Sequence, residues 1–213
     1  MTNFRLIDME QWERKEHCRH YLQNVPCTYS LTVELDISAL AGMKLYPAML
    51  WILTSTINEL EEFRTSLAPE GVGVFDSMHP SYTVLNPDTG RFCCAWTPFQ
   101  QDRDAFMKAC RRDIERFQKA KTLEPCPDMP DNVFNVSMIP WVRFTAFNLN
   151  LQNGANYLLP IFTLGKYCDQ NGGRIPPLAI QVPQAVCDGR HIGIFVEKLQ
   201  QKISSFTAEL PKQ

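Results

Sequence analysis

The 213-residue sequence lacks the features that mark several large classes of protein. No apolar run approaches the length of a membrane span, and no apolar core follows the start, so neither a membrane segment nor a secretory signal peptide is predicted. Lys and Arg total 21 against 23 Asp and Glu, and the basic residues are scattered, which argues against a nucleic-acid partner. With 45% hydrophobic and 21% charged residues, the composition is typical of a globular protein.

Cysteine is present, but without the spacing that metal sites or disulfide frameworks need. The eight cysteines include one adjacent pair, Cys93 and Cys94, and no CxxC motif. The pattern therefore predicts neither a zinc site nor a disulfide framework, and no metal is implied. Thiols of this kind are typical of buried small residues in a reducing compartment, so we predict buried cysteines and a cytoplasmic protein.

Helical and extended patterns intermix along the chain with no repeat and no linker, which predicts a single α+β or α/β domain over residues 1–213. Helices are predicted at 11–22, from Pro47 to about Phe63, from 101–104 onward and after Asp188. Strands are predicted at 28–35, 72–76, 82–86, 91–97, 133–138, 143–151, 156–164 and 175–184. Pro80 and the turn residues at 86–90 are predicted to separate the short strands, and 125–130 to form a proline-rich connector.

The stretch from Ile180 to Leu199 combines a strand, a tight turn and a helix. Its apolar run stops at Asp188-Gly189, where Asp188 is suited to cap a helix and Gly189 to make the turn. Apolar residues then recur at the spacing of one helix face: Ile192, Phe195, Val196, Leu199 and Ile203. A strand that leads into a helix through a tight acidic turn is a suitable place to hold a reactive group.

The segment VCDG followed by a helix resembles the signature of the chloramphenicol acetyltransferases, in which a catalytic His comes four residues before Asp-Gly. Further segments resemble the family over nearly all 213 residues: WERKEHCRHY, LYPAML, PSYTVLN, FNVSMIPWVRF, FNLNL and LPIFTLGKY. In this sequence the position four before Asp188 holds Gln184, and Pro183 stands before it where the family often has a second His.

This resemblance implies an α+β fold, a two-layer sandwich with a mixed sheet, assembled as a homotrimer with active sites between subunits. It implies a cytoplasmic CoA-dependent O-acetyltransferase, which is an acyltransferase of the kind associated with antibiotic resistance. Acetyl-CoA would be the cosubstrate, with no permanently bound cofactor. The implied acceptor is chloramphenicol or a similar small hydroxylated molecule.

The resemblance also assigns roles residue by residue. Ser137 matches the serine that stabilises the tetrahedral oxyanion, Thr163 the threonine that supports the intermediate through water, and Gln184 the position of the base. Arg14 and Asp188 match an ion pair that braces the loop carrying the base. Acceptor-pocket positions are held by His20, Tyr21, Cys27, Tyr29, Phe92, Cys94, Glu124, Asn135 and Leu149. Positions that contact coenzyme A are held by Lys44, Tyr46, Trp141, Lys166 and Tyr167.

Gln184 is the departure with the largest chemical consequence. Attack by a hydroxyl on a thioester needs a base for the hydroxyl proton and a donor for the oxyanion. A neutral imidazole accepts a proton near pH 7, whereas a carboxamide does not. Loss of a general base typically lowers the rate about 10²–10⁴-fold, so we expect impaired turnover. Pro183 is expected to remove a backbone donor and to alter the strand end.

Other departures leave alternatives open. His20 and Glu124 stand where the family has apolar pocket residues. In one interpretation they change which acceptor is bound, and His20 of a neighbouring subunit serves as a displaced base. In the other, which we favour, both residues lie at the pocket rim and face water. His191 is expected to pack or to hydrogen-bond rather than act as the base. Two alternative functions follow: a non-catalytic CoA- or small-molecule-binding homologue, and an acyltransferase for a different acceptor.

Overall fold

The structure is a computed structural model that describes residues 3–151, 156–170 and 172–206. Within these ranges the α-helices are α1 (Lys15–Arg19), α2 (Leu45–Ile57), α3 (Arg103–Phe117) and α4 (Gly189–Ser204); a π-helical turn at His20–Asn24 follows α1, and short 3₁₀ helices lie at Ser38–Leu40 and Glu61–Phe63. The strands are β1 (Phe4–Leu6), β2 (Thr28–Glu34), β3 (Thr65–Ala68), β4 (Gly71–Phe75), β5 (His79–Leu85), β6 (Phe92–Trp96), β7 (Val133–Ile139), β8 (Ile161–Gly165), β9 (Cys168–Gln170), β10 (Gly173–Ile175) and β11 (Pro177–Pro183). No helix in the described ranges is long and apolar enough to cross a membrane.

A mixed six-stranded sheet in the order β2-β11-β8-β7-β5-β6 dominates the fold. Strand β7 runs parallel to both β5 and β8, and the other pairings are antiparallel. Strands β1, β4 and β3 form a small separate sheet, and β9 and β10 form a hairpin. The predicted α+β fold with a mixed sheet is therefore confirmed.

The two faces of the large sheet differ in chemistry, because successive side chains of a strand point to opposite faces. One face packs on the helices and carries fully buried apolar residues such as Phe134, Phe162 and Ile180. The alternate positions form what we call the polar face, which carries Ser81, Asn135, Ser137, Thr163 and Gln181. The predicted oxyanion residues thus lie away from the helical layer.

Helix α4 forms as its sequence pattern predicts. Ile192, Phe195, Leu199 and Ile203 are buried on one face, and the Phe195 ring stacks between Phe63 and Phe162 at centroid distances of 4.6 and 5.3 Å. A buried aromatic stack of this kind adds about 0.5–1.5 kcal/mol per pair to the effect of burial alone. The helix therefore fixes the turn that precedes it.

Several sequence-based boundaries are wrong. Helix α2 ends at Ile57 rather than near Phe63, because the Asn58 side chain bonds both backbone groups of Met78 (3.2 and 2.7 Å) and ties the helix end to the sheet. Residues 143–151, predicted as a strand, form no regular element and bond to side chains instead. Pro80 lies inside β5 rather than between strands. A proline is tolerated there because β6 pairs with β5 only from Ser81 onward, so no hydrogen bond from position 80 to β6 is lost.

Two further predictions need correction or restriction. Strand β8 begins at Ile161 rather than at 156, because residues 156–160 are described and form no strand. Cys27 is exposed, and Cys94 and Cys168 are only partly buried, contrary to the prediction of buried cysteines; Cys27 lies in the loop before β2. Strands β1 and β3 carry too few residues to give a periodic signal and were not predicted.

Candidate active site

Ser137 and Thr163 are register partners on the adjacent parallel strands β7 and β8. Both belong to the polar face, and Thr163 is 2% exposed while Ser137 is partly buried. Neighbouring strands lie about 4.8 Å apart, so the two hydroxyl-bearing residues are side by side. The fold thus brings together the two residues that the family resemblance assigned to the tetrahedral intermediate.

The sheet opens beside Ser137. Strands β5 and β7 pair only as far as Tyr82 and Val136, whereas β5 continues with β6 to Leu85 and β7 continues with β8 to Ile139. The opening between Thr83–Leu85 and Ser137–Ile139 is called the sheet gap below. Tyr46 of α2 donates its hydroxyl to the Val136 carbonyl at the inner end of this gap (3.3 Å).

A cavity of about 540 Å³ lies at the sheet gap. Its walls combine residues from three predicted groups, namely Ser137, the acceptor residue Phe92, and the coenzyme A residues Tyr46 and Trp141. The remaining lining residues are mostly apolar: Thr83, Val84, Leu85, Pro87, Gly90, Ile114, Gln118, Met138, Ile139 and Pro140. Because burial raises the pKa of Tyr46 far above its ordinary value, its hydroxyl stays protonated.

The other three predicted coenzyme A residues do not line this cavity. Lys44 immediately precedes α2 and is exposed, as is Lys166 just after β8. The backbone N–H of Lys166 donates to Val142 O (2.9 Å), which places Lys166 beside the loop that carries Trp141. Tyr167 is 40% exposed, with the Arg174 guanidinium 5.5 Å from its ring centre. These three exposed side chains therefore lie outside the lining of the cavity.

Gln184 lies at the far end of β11, where its backbone is held from two sides. Its N–H donates to Cys27 O (3.0 Å), and its carbonyl accepts from Arg14 Nη2 (3.1 Å). Arg14 Nη1 also donates to Asp188 Oδ2 (2.6 Å), so one guanidinium joins the turn to the helix cap. Strand β11 keeps its register with β2 through Pro183, so the strand end is regular despite the proline.

Asp188 and His191 form a reciprocal cap at the start of α4. The Asp188 carboxylate accepts from the backbone N–H groups of Arg190 (3.0 Å) and His191 (3.4 Å), and His191 Nδ1 accepts from the Asp188 N–H (3.1 Å). Burial opposes ionisation of Asp188, but the Arg14 hydrogen bond and the neighbouring His191 outweigh it and lower its pKa. His191 therefore hydrogen-bonds within the cap, in line with the sequence-based expectation.

The predicted acceptor residues fall into two groups within one chain. The first group consists of His20 and Tyr21 just after α1, Cys27 in the loop before β2, and Tyr29 within β2; of these, Cys27 bonds directly to the Gln184 backbone. Tyr29 donates its hydroxyl to Cys187 O (3.4 Å). The ring of His20, which is exposed, meets the edge of Tyr21 at 4.9 Å.

The second group belongs to the polar face and its edges. It consists of Phe92 and Cys94 of β6, Asn135 of β7, Glu124 in the connector and Leu149 in the irregular segment. Leu149 is fixed by the bond from its N–H to Gln181 Oε1 (2.9 Å).

Sequence reasoning missed two residues of this region. Asn135 donates to the Tyr157 hydroxyl (2.7 Å), and burial raises the pKa of Tyr157 to about 12. Gln181 also accepts from Ser30 (3.2 Å). Gln181 could have been found from the sequence, since it is the one polar side chain in the apolar run 177–183. Tyr157 could not, because an aromatic residue before a strand is common.

One chain does not bring Gln184 and Ser137 together. Ser137, Thr163 and Ala179 are aligned across β7, β8 and β11, and Gln184 lies five residues beyond Ala179. At about 3.3 Å per residue and 4.8 Å per strand, the two residues are roughly 16 Å apart along the strand and 10 Å across it, or about 19 Å in all. A single site containing both therefore needs residues from two chains.

Comparison with solved structures places the chain among acetyltransferase folds. A structure described as chloramphenicol acetyltransferase matches 94% of this chain and 100% of its own, with a TM-score of 0.80 and 24% identity. The dihydrolipoamide acetyltransferase of Azotobacter vinelandii matches 89% of this chain and 86% of its own, with a TM-score of 0.67 and 21% identity. At these identities the likeness shows a shared fold.

Sequence comparison identifies the family to which the chain belongs. The family model described as chloramphenicol acetyltransferase matches residues 2–200, and the chain belongs to that family. A chloramphenicol acetyltransferase of Clostridium perfringens is 48% identical over 205 residues, covering 95% of this chain and 99% of the relative. One of Vibrio anguillarum is 46% identical over 205 residues and covers 95% of each. The family predicted from the sequence segments is thus confirmed.

Proposed function

We propose that this chain is a cytoplasmic homotrimer that transfers an acetyl group from acetyl-CoA to a hydroxyl of a small acceptor, and that it does so slowly. Because relatives covering nearly the whole chain are named chloramphenicol acetyltransferase, chloramphenicol is the acceptor proposed first. The observation that carries the proposal is the pairing of Ser137 with Thr163 beside a cavity of about 540 Å³. Slow turnover follows from Gln184, which stands where the family has its base.

The proposed reaction is direct attack of the acceptor hydroxyl on the thioester carbonyl, without an acyl-enzyme. The carbonyl oxygen becomes an oxyanion, which the Ser137 hydroxyl stabilises by donating a hydrogen bond. The oxyanion then re-forms the carbonyl, the carbon–sulfur bond breaks, and the coenzyme leaves as a thiolate that takes a proton from water. The acceptor proton must pass to water, because the Gln184 carboxamide can accept a hydrogen bond and orient the hydroxyl but does not take its proton.

The sheet gap supports acetyl-CoA as the donor. A cavity of about 540 Å³ is within the range of small-ligand sites, and its mostly apolar walls suit a thioester arm. In the proposed complex the Tyr46 hydroxyl and the exposed Trp141 ring contact this arm. Lys44 and Lys166 face the coenzyme phosphates from outside the gap.

The separation of about 19 Å between Ser137 and Gln184 supports a site between subunits. Each chain carries two half-sites, one around Ser137 at the sheet gap and one around Gln184 with Cys27 and Tyr29. In the proposed trimer the Ser137 half of one subunit faces the Gln184 half of its neighbour. Three equivalent sites then form in a closed ring.

Restoring the imidazole tests the proposal. Release of coenzyme A thiol is followed with acetyl-CoA and chloramphenicol for the unaltered chain and for Gln184→His. We expect the variant to gain at least about 10²-fold in turnover, the lower end of the effect of a general base. Gln201→His, on the exposed side of α4, is the matched control and should gain nothing. Vigorous turnover by the unaltered chain would refute the assignment of the missing base.

A second function, in a different class, is a non-catalytic protein that binds acetyl-CoA or a small molecule in the same cavity. The replacement of both residues at 183–184 favours it, since neither Pro183 nor Gln184 can exchange a proton. Tight calorimetric binding of acetyl-CoA without any gain from Gln184→His would support this function over transfer.

The third possibility is acetylation of a different acceptor, for which His20 and Glu124 are the motivating residues. If the unaltered chain turns over rapidly, loss of that turnover in His20→Ala would identify His20 as a displaced base. Because β11 is regular through Pro183, the Gln184→His test needs no change at Pro183.

A further inference from the structure

Glu124 is held against the edge strand of the sheet by its neighbours in the connector. The Cys94 N–H donates to Leu123 O (2.7 Å), which ties the connector to the outer edge of β6. Glu124 follows directly after this attachment. Burial, and then the Glu124 carboxylate, raise the pKa of the Cys94 thiol, which agrees with a carboxylate close to that side chain.

Cys94 connects Glu124 to the Ser137 half-site. On β6, Cys94 alternates with the buried residues Cys93 and Ala95, so its side chain belongs to the polar face. Its register partner is Thr83, which lines the cavity at the sheet gap together with Ser137. Strand β5 lies between β7 and β6, so at least two strand spacings, about 10 Å, separate Ser137 from Cys94.

The Glu124 carboxylate is available to a ligand. None of the ion pairs within 3–151, 156–170 and 172–206 includes it, and the residue is exposed. The side chains that β6 presents on the polar face beside it are neutral, namely Cys94 and a Phe92 side chain that is 55% exposed. A carboxylate beside neutral walls attracts a cation and repels groups with negatively polarised oxygens.

We propose that Glu124 selects acceptors that carry a cationic group at the end remote from the reacting hydroxyl, at least about 10 Å away, since two strand spacings already separate Ser137 from Cys94. The inference rests on the proposed transfer site at Ser137 and specifies its substrate class. Chloramphenicol bears a nitro group, whose oxygens carry partial negative charge, and it is therefore a poorer acceptor here than an amine of the same shape.

The test compares chloramphenicol with its analogue in which an aminomethyl group replaces the nitro group. Both are assayed by thiol release in the Gln184→His background. We expect the kcat/KM ratio of the amine to chloramphenicol to fall about five- to tenfold with Glu124→Gln, the effect of losing one charge-assisted contact. The ratio should fall further with Glu124→Lys. Asp128→Asn, an exposed carboxylate in the same connector, is the control and should leave it within about twofold.

Calorimetric binding of the same two acceptors, without acetyl-CoA, separates failure of this inference from failure of the transfer proposal. If no variant turns over but Glu124→Gln lowers the affinity ratio, the inference stands and the transfer proposal fails. An affinity ratio that is the same with Glu124 and with Gln at this position overturns the inference. Absence of binding by either acceptor, or stronger binding of chloramphenicol to the unaltered chain, overturns it as well.

Discussion

Replacing Arg14 by glutamine removes the guanidinium that joins the Gln184 turn to the cap of α4. In the structure this one side chain donates to Asp188 Oδ2 at 2.6 Å and to the Gln184 carbonyl at 3.1 Å. Its matched partner change is Asp188→Asn, which removes the charge but keeps a good helix cap, because Asn caps about as well as Asp. The two changes therefore separate the ion pair from the cap.

The burial of the pair sets the magnitude. The Arg14 side chain is 14% exposed and that of Asp188 31% exposed, between the surface and the core. Exposed pairs contribute up to about 1 kcal/mol, and breaking a fully buried pair costs about 3–5 kcal/mol. We expect Arg14→Gln to lower the free energy of unfolding by about 2 kcal/mol and the double-mutant coupling energy to be about 1 kcal/mol.

Thermal unfolding followed by circular dichroism measures this, at one fixed protein concentration because assembly would shift Tm. For a chain of this size, 2 kcal/mol corresponds to a fall in Tm of roughly 4–8 °C. The Asp188 pKa is lowered in the folded state, so the stabilisation is present above its ordinary value of 3.8 and is lost as the pH falls through the folded value. Additive single effects between pH 5 and 8 would refute the reasoning.

The remaining predictions concern stability and are measured by the same unfolding assay. Burial lowers the pKa of His79 below its ordinary 6.5, and its Nδ1 accepts from the Phe99 N–H (3.0 Å). The free energy of unfolding should therefore fall as the pH drops below 6.5, by at most about 1.4 kcal/mol per pH unit. His79→Asn should remove this pH dependence. An unchanged pH dependence would contradict its assignment to His79. Gly165→Ala should destabilise by about 1–3 kcal/mol, because the added Cβ would lie 2.6 Å from Pro177 Cγ and 2.8 Å from Phe144 Cε1. Gly193→Ala, with open space around it, should instead stabilise α4 by roughly 1 kcal/mol; destabilisation there would contradict the reasoning.

Local patterns were reliable where one residue or one helix face decides the structure. Asp188 was predicted to cap α4, and the apolar positions after it are buried as the helical period requires. Asp102 likewise begins α3 by accepting from the Ala105 N–H (3.0 Å), with Phe106 and Cys110 buried on its inner face. Such features depend on contacts within one or two turns of chain, which the order of residues contains directly.

Residues 143–151 show where local patterns fail. Their alternation of apolar and polar residues predicts a strand, yet the segment bonds to the polar side chains of Ser30 and Gln181, which are distant in the chain. Periodicity states which residues could share a face, and it contains no information on whether a neighbouring strand is free to pair.

The sequence by itself determined the family, the α4 cap and face, and the absence of imidazole at position 184. Only the tertiary structure decided that β5 and β7 part after Tyr82 and Val136. It alone also decided that Leu123, which precedes Glu124, bonds to Cys94, and that Gln184 lies at the far end of β11 from Ser137. Strand order and register arise from pairings between residues tens of positions apart, so no local pattern specifies them. Those same pairings set the distances on which the chemistry of the site depends.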